Sequence, residues 1–403
     1  MTKSSNSIEA IDDPRYTPFD LDSTYWAVVS KKVPGHYLLG EDVSNHDSLV
    51  RVSHLIMRIC RHDFNLPFSK RFSYRRPRLH IDSLGRSVIV LLTLDLDPLR
   101  AVASHHSLAP TIEALMEVVE SFKPNTPPSE LRFIDEAEMD SAVREYNELV
   151  LKLRQVLRAE GMGERVKSFR RNATRNYRHL MGVIRASHER HRKLLLIRLD
   201  WSENDVDPSA PIEQLSQADF DTAALRLANA RDKMVHHLKS HFKGDLAFYA
   251  WKIEWGVQKG FHIHWLVGLN GSKYQDRINV PYHIAKHWDE VLFNGGSHTH
   301  NINAMPGKDR VGLCVLHYAD SQAGSFFGLY ADYLTKVDYN LKLRLPNGMR
   351  SFGCSKLNRR AGRKTGPDRS YQMPCYDIDA VRGKRGRATG RRFTVKSLTK
   401  ELQ

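Results

Sequence analysis

The stretch WKIEWGVQKGFHIHWLVGL, residues 251–269, reads as two β-strands joined by a tight turn. Gly256 and Gly260 bracket the turn, where a positive φ costs least. The flanks alternate with period two. Trp251, Ile253 and Trp255 share one face of the first strand, and Phe261, Ile263, Trp265 and Val267 share one face of the second. Aromatic and β-branched residues on a pleated surface belong against a core. Lys252, Glu254, His262 and His264 fall on the opposite face. If the loop runs from Gly256 to Gly260, Trp255 faces Phe261 and Glu254 faces His262, with His264 two residues on and on the same side. A loop one residue shorter would set Glu254 against Phe261 and dismantle the patch.

A carboxylate and two imidazoles with open positions can hold a divalent cation. Imidazole suits Zn, Mn, Ni or Co, and the carboxylate admits the harder Mg and Mn. Taken alone, His-x-His on a strand is more often an accident of a polar sheet face. The opposed glutamate, and a helix further along, reverse that balance.

That helix lies in LYADYLTKVDY, residues 329–339, where Tyr330, Tyr333 and Lys336 recur every three residues and so share one face. A phenol with a pKa near 10 is a poor nucleophile at neutral pH. A metal that polarises the electrophile, or a cation such as Lys336, makes it useful. Two tyrosines on an amphipathic helix, without such neighbours, are packing residues.

Around these two stretches the spacing predicts a buried strand at 194–199 (LLLIRL), ending at Asp200, Trp201 and Ser202, and a helix over 218–242 whose His236, His237 and His241 lie on the surface. After the hairpin come a helix over 282–293, a Gly/His loop at 294–303, a strand at 311–317, a helix over 325–337 and a strand at 349–354. The loop holds a second His-x-His, His298 and His300, set aside because glycines surround it and no carboxylate accompanies it. The order suits a two-layer α+β domain with a central antiparallel sheet.

The preceding half is less explicit. A flexible lead of about 20 residues gives way to an α+β unit with a helix over 48–61, an apolar strand over 87–96 and a helix over 109–122. Residues 70–78, KRFSYRRPR, interleave basic and aromatic side chains. They suit a phosphate backbone with stacked bases and suit equally well an exposed loop with a solvated positive face. Residues 124–129 (PNTPPS) read as a linker. An acidic amphipathic helix over 130–160 then meets a densely basic run over 165–193, which either pairs with it or touches DNA. The expected division is an accessory α+β unit at 1–129, a helical connector at 130–190, the site-bearing domain at 191–372 and a basic tail at 373–403.

The 403 residues carry 61 Lys and Arg against 46 Asp and Glu, a net charge of +15 that points to a polyanionic partner, nucleic acid before membrane. Cys60, Cys314, Cys354 and Cys375 form no C-x-x-C pair and read as reduced thiols of a cytoplasmic protein. No apolar run is long enough to span a membrane, and the first residues lack the apolar core of a signal peptide.

In combination, His262-Ile263-His264 on a strand followed by Tyr333-Leu334-Thr335-Lys336 on a helix resembles the HUH endonuclease superfamily. The order is that of rolling-circle replication initiators. The wording GFHIHWLVG, YADYLTK and RSFGCSKLNRR is similar to the replication proteins of filamentous phages (inovirus type) and related cryptic prophages. The resemblance spans about residues 190–372. It implies that Tyr333 attacks a DNA phosphodiester and is joined to the 5′ phosphate, freeing a 3′ hydroxyl. It also implies that Mg or Mn sits on His262 and His264, with Glu254 in the place of a third ligand, and that Lys336 is the family lysine. Tyr330 is the candidate second tyrosine, although two-tyrosine initiators often use a spacing of four rather than three. Single-stranded or cruciform origin DNA is the implied substrate, with Arg350, Lys356, Arg359 and Arg360 as DNA contacts. The sequence has no helicase P-loop, so a host helicase and polymerase would be partners. The competing expectation is a non-enzymatic DNA-binding regulator of a mobile element on the same scaffold.

Overall fold

The computed structural model describes residues 52, 55–56, 58–60, 66–73, 76–93, 96–203, 216–256, 260–305, 312–320, 323–335 and 337–356. The chain divides into two units, one formed by residues 1–171 with 339–342 and the other by 172–338 with 343–403.

The first unit opens with an antiparallel ribbon, β1 (Phe68–Ser73) and β2 (Arg76–Ile81). Helix α1 (Ser83–Leu92) follows at once, and this corrects the expected strand over 87–96. An apolar run of this length does not distinguish strand from buried helix by itself. Here the Asp82 side chain accepts a hydrogen bond from the Gly85 amide at 2.8 Å, starting a helix that buries Leu84, Val88 and Leu91. Helix α2 (Asp97–Ala103), strand β3 (His106–Leu108) and helix α3 (Pro110–Ser121) come next. Helix α4 (Glu136–Leu157) begins six residues later than expected, because Asp135 caps it by accepting from the Glu138 amide at 2.9 Å. It buries Met139, Tyr146, Leu149, Val150, Leu153 and Leu157. Helix α5 (Met162–Arg190) leads from the first unit into the second; Lys167 and Arg185 pair with Glu164 and Glu189 of the same helix.

The second unit is built on an antiparallel sheet of β4 (Lys193–Glu203), β5 (Leu246–Gly256), β6 (Gly260–Asn270), β7 (Ser297–Asn301), β8 (Val315–His317) and β10 (Phe352–Cys354). Its order is β10-β5-β6-β4-β7, and β8 also pairs with β4. The short strand β9 (Leu341–Leu343) pairs with β3 instead. One face of the sheet is the core. Leu195, Ile197, Leu199 and Trp201 of β4 join Trp251, Ile253 and Trp255 of β5 and Ile263, Trp265 and Val267 of β6. Helix α6 (Gln217–Phe242) seals them with Phe220, Leu227, Met234 and Leu238. Helix α7 (Asn279–Lys286) and the π-helical turn His287–Leu292 complete the layer, with Trp288 stacked on Trp201 at 4.0 Å. Helix α8 (Ala323–Thr335) meets the other face, where its Tyr333 ring packs on His264. Gly268 of β6 lies opposite Phe248 of β5, and a Cβ there would meet that ring at 2.2 Å, so only glycine admits the buried phenyl. Among the described residues no helix is long and apolar enough to cross a membrane.

Candidate metal centre

The β5–β6 hairpin closes as its glycines require. Gly256 pairs with Gly260, whose φ of 63° lies in the left-handed region, and Glu254 is therefore opposite His262. The same register sets Lys252 opposite His264. On the far side of β6, strand β4 sets Ser202 opposite His262 and Asp200 opposite His264. Two polar rows thus cross the sheet on the face away from the core.

Glu254 Oε2 lies 3.5 Å from His262 Nε2 and 3.4 Å from His264 Nε2. The ligand atoms of this trio are all within 4.8 Å of one another, close enough to hold a metal ion. Each imidazole has an oxygen close to its other nitrogen. His262 Nδ1 is 3.3 Å from the Gly260 carbonyl, and His264 Nδ1 is 2.9 Å from Asp200 Oδ1. An oxygen beside Nδ1 leaves Nε2 as the donor atom, the usual arrangement around a metal-binding histidine. The residues therefore fit a divalent cation with two nitrogen ligands and one oxygen.

The charges are strongly coupled. Burial alone would raise the Glu254 pKa, but His264 and His262 hold it well below the ordinary carboxylate value. Burial alone would lower His264, but the carboxylates of Asp200 and Glu254 push it up to about 9. Asp200 resists burial in the same manner, pulled down by Arg198 and then by His264. Arg198 clasps it with Nη2 at 2.6 Å from Oδ2 and Nε at 3.2 Å from Oδ1. The Arg198 guanidinium also lies over the Tyr333 ring at 3.8 Å, and that ring meets His264 edge to face at 5.3 Å.

Of the residues expected at the site, Glu254, His262, His264 and Tyr333 are brought together. Tyr330 is buried on the same helix. Lys336, Arg359 and Arg360 lie outside the described residues. Arg350 and Lys356 are exposed and bracket β10, the edge strand beside β5. Asp200 and Arg198 were missed as site residues. Their signal was an Arg-x-Asp pair, one face of a strand otherwise apolar. His298 and His300 do not lie in a glycine loop without a carboxylate: they stand on β7, opposite Ser202 and Asp200, and so extend the two polar rows by one strand. Glycines at 295 and 296 turn the chain just before it.

The second unit is thus an antiparallel α+β domain with a candidate divalent-metal centre on its sheet. Residues 158–355, just under half of the chain and including the whole centre, match the family model of the YagK/YfjJ C-terminal domain, a family found in cryptic prophage proteins. No curated protein and no solved structure matches the chain.

Proposed function

We propose that this protein is a metal-dependent DNA nickase of the HUH type that starts rolling-circle replication of a prophage, phage or plasmid element through a 5′-phosphotyrosine intermediate. The observation that carries the reading is the Tyr333 ring against His264, a residue whose Nε2 is turned toward Glu254. Net charge and the prophage association of the matching family agree with it.

In this reading Glu254, His262 and His264 hold Mg or Mn. The bound cation supplies Lewis-acid polarisation of the scissile phosphate. The chain does the rest. Tyr333 Oη forms the new bond to phosphorus as the bond from phosphorus to the 3′ oxygen breaks. The phenolic proton passes to solvent, and the departing oxygen takes up a proton to become the 3′ hydroxyl. Arg198, positively charged over the ring, favours the phenolate that attacks. Asp200 keeps both His264 and Arg198 in place. The tyrosyl phosphodiester conserves the bond, so rejoining requires no ATP.

Incubation with a library of single-stranded oligonucleotides and Mn is expected to give a covalent adduct that survives detergent. Tyr333→Phe is expected to abolish it while leaving DNA binding intact. An undiminished adduct in that variant removes Tyr333 from the nucleophile role. Salt-sensitive binding with no adduct under any metal would favour the regulator instead.

A further inference from the structure

The β1–β2 ribbon lies outside the family match and the metal centre. Its register runs from Phe68 opposite Ile81 to Ser73 opposite Arg76. One side therefore carries Phe68, Lys70 and Phe72 with Leu79 and Pro77. The other carries Arg71, Ser73, Arg76 and Arg78.

The root is firmly anchored. Asn147 of α4 donates to the Phe68 carbonyl at 2.8 Å and accepts from its amide at 3.1 Å. The Asp82 amide donates to the Pro67 carbonyl at 2.9 Å, and Gly85 sits so close that a Cβ would meet Ile81 at 2.7 Å. Lys70, nearest the root of the basic residues, is neutralised by Asp140 at 3.0 Å.

The far part is different. Arg71 is directly opposite Arg78, both are exposed, and exposed Arg76 follows on the same side. Like charges opposed across a ladder destabilise it. Among the described residues none of the three has an acidic partner. On the reverse side Phe72, at the end of the ribbon away from the anchored root, is 72% exposed. Uncompensated arginines and a bare phenyl on a fixed two-stranded ribbon call for a polyanion with apolar surface between its charges. Duplex DNA has both, and its major groove, about 12 Å wide, admits a β-ribbon.

We propose that the β1–β2 ribbon is a duplex-DNA-binding wing, in which Arg71, Arg76 and Arg78 hold backbone phosphates and Phe72 packs against the sugar edge. This site is independent of the nicking chemistry, and gives the first unit the task of gripping double-stranded DNA.

The test uses the full chain and a fluorescent 30-base-pair duplex, with affinity followed by anisotropy over a range of salt. The triple variant Arg71→Ala/Arg76→Ala/Arg78→Ala is expected to bind more weakly and to lower the slope of log K against log salt by roughly three, at about 0.9 per phosphate released. The matching triple lysine variant is expected to keep the slope, which separates charge from misfolding. Phe72→Ala is expected to weaken binding at every salt concentration with the slope unchanged. An unchanged slope in the alanine variant overturns the proposal, as does a loss confined to single-stranded DNA or RNA. The triple variant is expected to form the tyrosyl adduct on a short single strand as wild type does. A wild-type protein that forms no adduct yet shows the slope change would sink the nickase reading and leave the wing standing.

Discussion

Lys252 shares the sheet face of the metal centre but serves the fold. It is 1% exposed, its ammonium is bonded to Asp338, and Ser351 Oγ lies 3.3 Å away. Removing one member of a buried pair leaves the other charged and desolvated, which costs about 3–5 kcal/mol, whereas replacing both by apolar groups is far cheaper. Lys252→Met is therefore expected to destabilise the protein by about that amount in chemical denaturation. Lys252→Met/Asp338→Leu is expected to recover most of the loss. A double variant as unstable as the sum of the two single changes would show that the pair is not acting as a unit. The residue scale also shows why part of the centre was legible. Glu254, His262 and His264 lie within eleven residues, and a period of two plus one turn length decides which side they take. Arg198 and Asp200 join them only because β4 pairs with β6, a choice made across more than sixty residues that no local spacing records.

At the scale of elements, apolar residues at helical spacing identify a helix, whereas a continuous apolar run does not separate strand from helix. Helix α6 runs from 217 to 242 against the expected 218–242, since eight buried positions recur at helical spacing. The strand expected over 87–96 rests on continuous apolar residues, while the signal that decides for a helix is the cap at Asp82. Strand β7 was hidden by the glycines before it, and its identity depends on a partner, β4, about a hundred residues earlier. Helix α6 also carries a titrating contact. His237 stacks on His287 at 3.5 Å and lies 5.3 Å from His241. Burial first, then repulsion by His287 and His241, lowers its pKa to about 4. The unfolded value is about 6.5, so between these limits the unfolded chain binds more protons. The stability due to neutral His237 is fully present above about pH 6.5 and is lost as the pH falls toward 4. Tm is expected to fall more steeply for wild type than for His237→Gln between pH 7.5 and 5. A gap between the two that stays constant over this range would exclude the stack as the cause.

For the molecule as a whole, charge is the property that sequence reports most fully and that a fold least explains. The net charge of +15 is unevenly spread, and residues 373–403 hold eight basic and three acidic residues. Bound to a nucleic acid, such a segment would add affinity through counterion release, without choosing a sequence. Residues 339–342, just after helix α8, belong to the first unit. A chain truncated after residue 372 keeps Glu254, His262, His264 and Tyr333. If the terminal charges touch DNA, truncation lowers the salt slope for a long duplex by an amount bounded at about 7, from eight cations at about 0.9 each. The yield of tyrosyl adduct on a short oligonucleotide at low salt is expected to be unchanged, since the residues assigned to that step all remain. An equal slope in the truncated and full chains would mean that these charges face solvent. A lost adduct at unchanged metal affinity would mean that the chemistry at Tyr333 draws on them directly.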